Sequence, residues 1–421
     1  MVKPIWLLAV PLTLFLAACG GGASPPPGSV TLTVVDGQNV GYAAAYQVGS
    51  GSWTAFTPSS GNTYTFSLGG STTYGVAVRC NSTIPGNPPE VYVIQATPSE
   101  LANPKVTCSE ANPGLVSYTL NVDVSAVPGV ASGDLVRVSG RGFGAGGTVM
   151  SVTTPVAVNL MAPAGTQDLL VTVSASGNPV NFKAAKVLRG VSVTSGGTGP
   201  LVFAAADALS PASVTVSPPS GFTPSFAVAN VNYVSNDNKG SGQVGYASGT
   251  AAASFLYRPV SGFGSGDRYV VFATAGDSAN VLERFLGTNG GPMVLALPNP
   301  WPSGSLSVSA LAHPVVSGLS YSNSNVRAYE VHLEDSTLIY QITLSKGWLS
   351  GSSYTVPDLS AQLGYTPFAG SVYVSVSALL SPVPVLSLDP NDPASFTATS
   401  DISLVHATGS YAVGGGTLTL P

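Results

Sequence analysis

Apolar and polar residues alternate along most of this chain, and an alternation of period two fits one element only, a β-strand with one buried and one wetted face. In residues 118–125, Tyr118, Leu120, Val122 and Val124 point one way while Thr119, Asn121, Asp123 and Ser125 point the other. The pattern recurs at residues 30–35, 64–68, 75–78, 169–173, 269–273, 338–344 and 371–377, with Gly, Pro, Asn and Ser clusters between the runs. Short strands punctuated by turns build antiparallel sheets. Helix signals are few: Asp358 offers a cap for residues 358–363 and Gly364 closes them. Residues 278–286 have a similar cap pattern. They run into the turn Thr288-Asn289-Gly290-Gly291 and the apolar run 293–297, so they read as the first strand of a hairpin. The expected fold class is all-β, a multi-domain β-sandwich of immunoglobulin-like or transthyretin-like type with very little helix.

Punctuation also suggests boundaries. Residues 29–110 have the size of a small β-sandwich, and the stretch 109–114 then breaks the pattern with Asn112, Pro113 and Gly114. Residues 111–421 read as a large β region of two or three sandwiches, in which the proline-rich spots at 211–224 and 298–302 serve as junctions or long turns.

Charge is scarce. Charged residues make up 8% of the chain, so hydroxyl, amide and glycine groups must cover much of its surface. With 14 Lys plus Arg against 19 Asp plus Glu and no basic cluster, the sequence excludes a nucleic-acid footprint.

The N-terminus carries an address. Lys3 precedes an apolar run, residues 5–16, that is too short to span a bilayer, and small residues follow it, as an export signal requires. Leu16-Ala17-Ala18-Cys19 resembles the lipobox of bacterial lipoproteins. That resemblance implies a signal peptide over residues 1–18, acylation of Cys19, and a membrane partner reached through the lipid. Residues 19–28 form a Gly/Ser/Pro tether. Gly20 stands where some lipoproteins carry an inner-membrane retention aspartate, which tilts the expected location in the cell envelope toward an outer membrane where the host has one. Two further segments resemble a broad group of exported bacterial proteins of unassigned activity. One is Tyr46-Gln47-Val48-Gly49-Ser50-Gly51-Ser52-Trp53 with Tyr64-Thr65-Phe66 and Tyr74-Gly75-Val76-Ala77-Val78-Arg79-Cys80. The other is Gln167-Asp168-Leu169-Leu170 with Val187-Leu188-Arg189-Gly190, Tyr257-Arg258 and Gly266-Asp267-Arg268. No catalytic residue comes with this likeness.

Of three cysteines, removal of the lipidated one leaves Cys80 and Cys108, an even pair outside the cytosol and each at the end of a strand-like run. A disulfide between them is expected; the alternatives are two free buried thiols or a metal pair, which no nearby histidine supports.

The densest polar constellation is Arg327, Glu330, His332, Glu334 and Asp335. On a strand, Glu330, His332 and Glu334 share one face, where an imidazole between carboxylates can bind a metal or move a proton; a solvated strand face over buried Val331 and Leu333 is the plainer reading. His313 and His406 stand alone in sequence. Gly142-Phe143-Gly144-Ala145-Gly146-Gly147 has the spacing of a dinucleotide loop, but 148–153 follow it as a strand rather than a helix, so a turn or bulge is expected. Asn236-Asp237-Asn238 and Asp389, Asn391 and Asp392 offer too few oxygens for calcium. Trp53, Trp301 and Trp348 are packing residues before they are glycan platforms. The sequence therefore points to a membrane-anchored envelope lipoprotein with a structural, adhesive or binding role, an envelope protein or glycan as partner, and no cofactor. The alternative is a glycan-active or other hydrolase that brings together distant carboxylates such as Asp237 and Asp267.

Overall fold

A computed structural model describes residues 28–57, 61–84, 86–250, 253–388 and 392–421. The lipobox, Cys19 and all but the last residue of the tether lie outside the described residues, as do Asp389 and Asn391.

The alternation resolves into four stacked pairs of sheets. The first contains β1 (Ser29–Asp36), β2 (Tyr42–Val48), β3 (Thr54–Ala55), β4 (Thr63–Ser67), β5 (Tyr74–Cys80), β6 (Glu90–Ala96) and β7 (Lys105–Ser109). Its layers are β4-β1-β7 and β6-β5-β2-β3. The second contains β8 (Leu115–Asp123), β9 (Leu135–Gly140), β10 (Phe143–Thr148), β11 (Val156–Pro163), β12 (Gly165–Ala175), β13 (Asn178–Val193) and β14 (Gly197–Val202). Here β10-β9-β12-β13 faces β11-β8-β14. The third contains β15 (Ala212–Ser217), β16 (Phe226–Val234), β17 (Ser241–Gly249), β18 (Ala253–Tyr257), β19 (Arg268–Gly276), β20 (Asn280–Thr288) and β21 (Met293–Ala296). In the fourth, β22 (Leu306–Val308), β23 (Val315–Ser317), β26 (Ser353–Thr355) and β29 (Leu418–Leu420) face β24 (Val326–Glu334), β25 (Ile339–Ser345), β27 (Ser371–Leu380) and β28 (Asp401–Ala412). Among the described residues there is one α-helical turn, α1 (Ser360–Leu363), which ends on Gly364 at φ 71°, a left-handed conformation that suits glycine. The protein is an all-β, multi-domain β-sandwich.

Three of the sandwiches share a sheet. Strands of the third, fourth and first run side by side in the order β17-β16-β19-β20-β28-β27-β24-β25-β6-β5-β2-β3. One seam pairs β20 with β28 antiparallel, from Asn280↔Ala407 to Leu286↔Asp401. The other pairs β25 with β6 in parallel, from Ile339↔Glu90 to Leu344↔Gln95. Hydrogen bonding thus crosses the strand-free stretch 110–114, and four edges that would otherwise present unpaired backbone groups are consumed.

The companion layers lie on opposite sides of this long sheet. Val30, Leu32, Val34, Tyr64 and Phe66 of the first sandwich cover Val76, Val78, Tyr92 and Ile94 on one side. Val214, Val216, Leu306, Val308 and Val316 cover Val231, Ala273, Val331, Leu333 and Val376 on the other. The second sandwich has its own core, centred on Leu120, Val122, Val136, Val138, Val171 and Val173. It docks on the third through Leu170, Ala185 and Val187 beside Val244, Tyr257 and Val260.

An ionic clasp fixes that junction. Arg189 on β13 bonds Asp168 at 2.8 Å and also bonds Asp267, whose side chain is fully buried beside the start of β19. Asp267 further accepts from the Tyr233 hydroxyl at 2.8 Å and the backbone N–H groups of Asn236 at 2.9 Å and Gly264 at 2.8 Å. Burial alone would raise its pKa, but Arg189 and these donors hold the carboxyl below the usual range. Such a charge is committed to structure.

Two local expectations are corrected. Residues 280–288 and 293–296 do form strands, with Gly290 and Gly291 at φ 109° and 89° between them. They do not make a hairpin: β20 pairs with β19 and β28, while β21 crosses to the other layer and runs parallel to β15. Leu282, Met293 and Leu295 all enter one core, so an arch between layers buries them better than a ladder. The glycine-rich run is itself the strand β10, paired antiparallel with β9, and residues 149–153 after it are not strand.

Cys80 and Cys108 form a disulfide with Cα atoms 5.1 Å apart, joining β5 in one layer of the first sandwich to β7 in the other. Closure of a loop with a separation of 28 residues stabilises by about 3.5 kcal/mol in the chain-entropy model. The Cys80→Ala, Cys108→Ala double variant should lose about that amount in urea unfolding, and alkylation of denatured, unreduced wild type should label neither thiol.

Candidate functional site

The opposed coverings leave part of one sheet face without a companion layer, and the sequence-predicted residues fall there. On β24 the chain alternates Tyr329, Val331 and Leu333 into the core with Glu330, His332 and Glu334 on the other face. These three do lie together on one face. Their strand is central, flanked by β25 and β27, so the side chains are half-buried rather than freely solvated.

Cross-strand register extends the polar set beyond β24. One row runs His406, Ser377, Glu330, Thr343 across β28, β27, β24 and β25; the next runs Thr408, Ser375, His332, Gln341. A third runs Ser410, Tyr373, Glu334, Ile339. Glu283 on β20 joins the first row diagonally, its Oε2 lying 3.5 Å from His406 Nε2. The result is a polar furrow astride the seam between the third and fourth sandwiches. At one end the floor itself turns apolar, at Leu379, Ile402 and Leu404, and is roofed by Phe396 in the same core.

The structure divides the sequence constellation. His332 Nε2 lies 3.1 Å from Glu334 Oε2, and this hydrogen bond is the main reason that the Glu334 carboxyl sits below the usual range. Glu330 takes no part in it. Its carboxyl is pushed up to about 8, first by desolvation and then by the Glu283 carboxylate. His406, isolated in sequence, is fully buried here, with Nδ1 2.5 Å from Ser377 Oγ. Its Nε2 is within ion-pair reach of Glu283 but lacks hydrogen-bond alignment, and the buried Gln341 Nε2 also has no hydrogen-bond partner among the described residues. Sequence reasoning missed His406 and Glu283 because register alone brings them to Glu330. Among the described residues no group of three His, Cys, Asp or Glu side chains is arranged to hold a metal ion.

The other candidates are occupied in structural roles. Asp237 accepts from Ser235 Oγ at 2.6 Å and Lys239 N–H at 3.0 Å, and Asn238 accepts from Arg268 at 2.6 Å, so their turn is closed on itself. With Asp267 clasped by Arg189, the Asp237 and Asp267 pair supplies no free acid and base. Asp392 takes Arg141 at 2.6 Å and caps residues 393–395. Trp301 is buried and donates its indole N–H to Val405 O at 2.8 Å. Trp53 and Trp348 pack against the same core. His313 lies 3.5 Å from Asp358, and burial lowers its pKa despite that carboxylate.

Neither a family model nor a curated protein matches this chain. Among solved structures, the FN1-FN3 domains of chicken CNTN1 align at 9% identity over 67% of this chain and 90% of that one, with a TM-score of 0.15. The Bacillus anthracis TIE protein aligns at 9% identity over 83% and 68%, with a TM-score of 0.17. A streptococcal ancillary pilin aligns at 12% identity over 62% and 89%, with a TM-score of 0.18. Overlap this loose carries no functional argument.

Glu330 makes stability depend on pH in a definite direction. Its folded pKa of about 8 lies above the ordinary 4.5, so the folded form retains a proton that the unfolded chain releases. The contribution is fully present below pH 4.5 and is lost as pH rises toward 8. Glu330→Gln should therefore be more stable than wild type at pH 8, by on the order of 2 kcal/mol after allowance for partial solvation, and no more stable at pH 4.5. Parallel denaturant titrations at the two pH values check this; a constant difference would show that the carboxyl is ordinary.

Proposed function

We propose that this protein is an exported, lipid-anchored component of the cell envelope with a structural, adhesive or binding role, held at the membrane by Cys19 and projected on the tether of residues 19–28. The observation that carries the reading is the twelve-stranded sheet, which fuses three sandwiches into one hydrogen-bonded body. A body of this kind resists bending between its units, as a projecting scaffold must. The Cys80–Cys108 disulfide supports an oxidising compartment. A surface low in charge and rich in hydroxyl and amide groups suits contact with envelope proteins or glycans. An outer-membrane location agrees with Gly20 after the acylated cysteine.

One observation favours a second reading, a glycan-active hydrolase: Glu330 keeps its proton near neutrality beside the Glu283 carboxylate. A protonated acid beside a second carboxyl group is the pairing that glycoside cleavage uses. The two readings separate on turnover, since hydrolysis of an envelope glycan that is abolished in Glu330→Gln would replace the scaffold with an enzyme.

The anchor is tested by Cys19→Ser. The variant should move from the membrane pellet to the soluble envelope fraction, and the wild-type N-terminal peptide should carry acyl mass. Retention of an exported variant in salt-washed membranes would place the anchor elsewhere.

A further inference from the structure

The glycine-rich run that mimics a dinucleotide loop has a different use. We propose that strand β10 and its neighbours form a cleft for an acidic sugar residue, with Arg137 recognising the ligand's carboxylate. The inference deepens the binding role above by giving it a ligand class, and it does not depend on the anchor.

The cleft follows from register. Gly146 on β10, Arg137 on β9 and Thr172 on β12 form one cross-strand row; Thr148, Leu135 and Ser174 form the next. Both rows lie on the face turned away from the core that holds Val136, Val138, Val171 and Val173. Because Gly146 has no side chain, the edge of the sheet is hollow. A cleft of about 280 Å³ opens there, lined by Arg137, Gly146, Thr172, Ser174, Leu135 and Phe182 among others. That volume lies at the small end of ligand sites and matches one sugar ring better than a nucleotide.

The lining is unspent. Thr172 and Ser174 are 3% and 6% exposed, and no hydrogen bond of either hydroxyl is formed among the described residues. The exposed Arg137 guanidinium has no ion pair or hydrogen bond among them either. Asp134, at the turn before β9, is no rival, because it is held by Lys183 at 2.6 Å and by the N–H groups of Ala131 at 2.8 Å and Ser176 at 2.9 Å. A guanidinium fork grips a carboxylate through two parallel N–H donors. Paired hydroxyls exchange hydrogen bonds with sugar hydroxyls, and Phe182 and Leu135 offer apolar walls to the C–H face of a ring. A bare anion would leave the hydroxyls and walls unused.

The test uses full-length protein in detergent and isothermal titration with glucuronate, glucose and acetate. Glucuronate should bind at on the order of millimolar concentration, with glucose and acetate each at least about tenfold weaker, a difference of about 1.4 kcal/mol. Arg137→Gln should remove the preference for glucuronate over glucose without moving the thermal melt. Gly146→Val should block all binding by filling the cleft; its Cβ would stand 3.3 Å from Val136 O, so Thr172→Val, which keeps the shape and loses the hydroxyl, is the second variant if Gly146→Val does not fold. The proposal is overturned if glucuronate does not bind, if glucose or acetate matches it, or if Arg137→Gln retains the preference. None of these results touches the anchoring by Cys19, and a failed anchor leaves them unchanged.

Discussion

The backbone ladders at two seams, β20 with β28 and β25 with β6, hold the rest of the structure in place. Side-chain packing keeps each sandwich together, but a sandwich by itself exposes edge strands whose N–H and C=O groups invite pairing with anything extended. Here the invitation is answered within the chain. Sandwiches linked only by loops would flex at the linkers, whereas a shared sheet bends only by deforming its hydrogen bonds.

The same arrangement explains the polar furrow. With companion layers on opposite sides of the long sheet, β24, β27 and β28 have one face wholly in one core, while the other face joins the second core at its Ala328, Leu379 and Leu404 end. Beyond that end the second face carries Glu330, His332, Ser375, Ser377, His406 and Thr408, of which Ser375, Ser377 and His406 are buried. Proximity to the roofed end then sets their chemistry. Glu334 at the open end is hydrogen-bonded to His332, which holds its carboxyl low, while Glu330 near Glu283 is desolvated and holds its proton.

Period two made the fold class legible, along with the core-facing set of each strand and the single turn before Gly364. Cys80 and Cys108 could be paired because both closed strand-like runs. Pairing partners were another matter. Alternation says which way a side chain points and nothing about which strand lies alongside, so the arch from β20 to β21 looked like a hairpin, and the parallel partner of β25 lay far back in the chain at β6. The site suffered for the same reason. Glu330, His332 and Glu334 were visible as neighbours on one strand, but Glu283, Ser377 and His406 reach them only through register. The glycine run was recognised as unusual, and its meaning appeared only when its missing side chains were set beside Arg137 and Thr172.

Fusion of three sandwiches through one sheet is the central claim, and native-state amide hydrogen exchange tests it most directly. If the seams exist, the amides of β6, β25, β20 and β28 that point across them should be protected as strongly as those of the interior strands β5 and β27, because they open only when the sheet does. Rapid exchange of the seam amides beside a protected interior, at the rate of the exposed edge strand β3, would contradict it and leave independent sandwiches on a flexible chain.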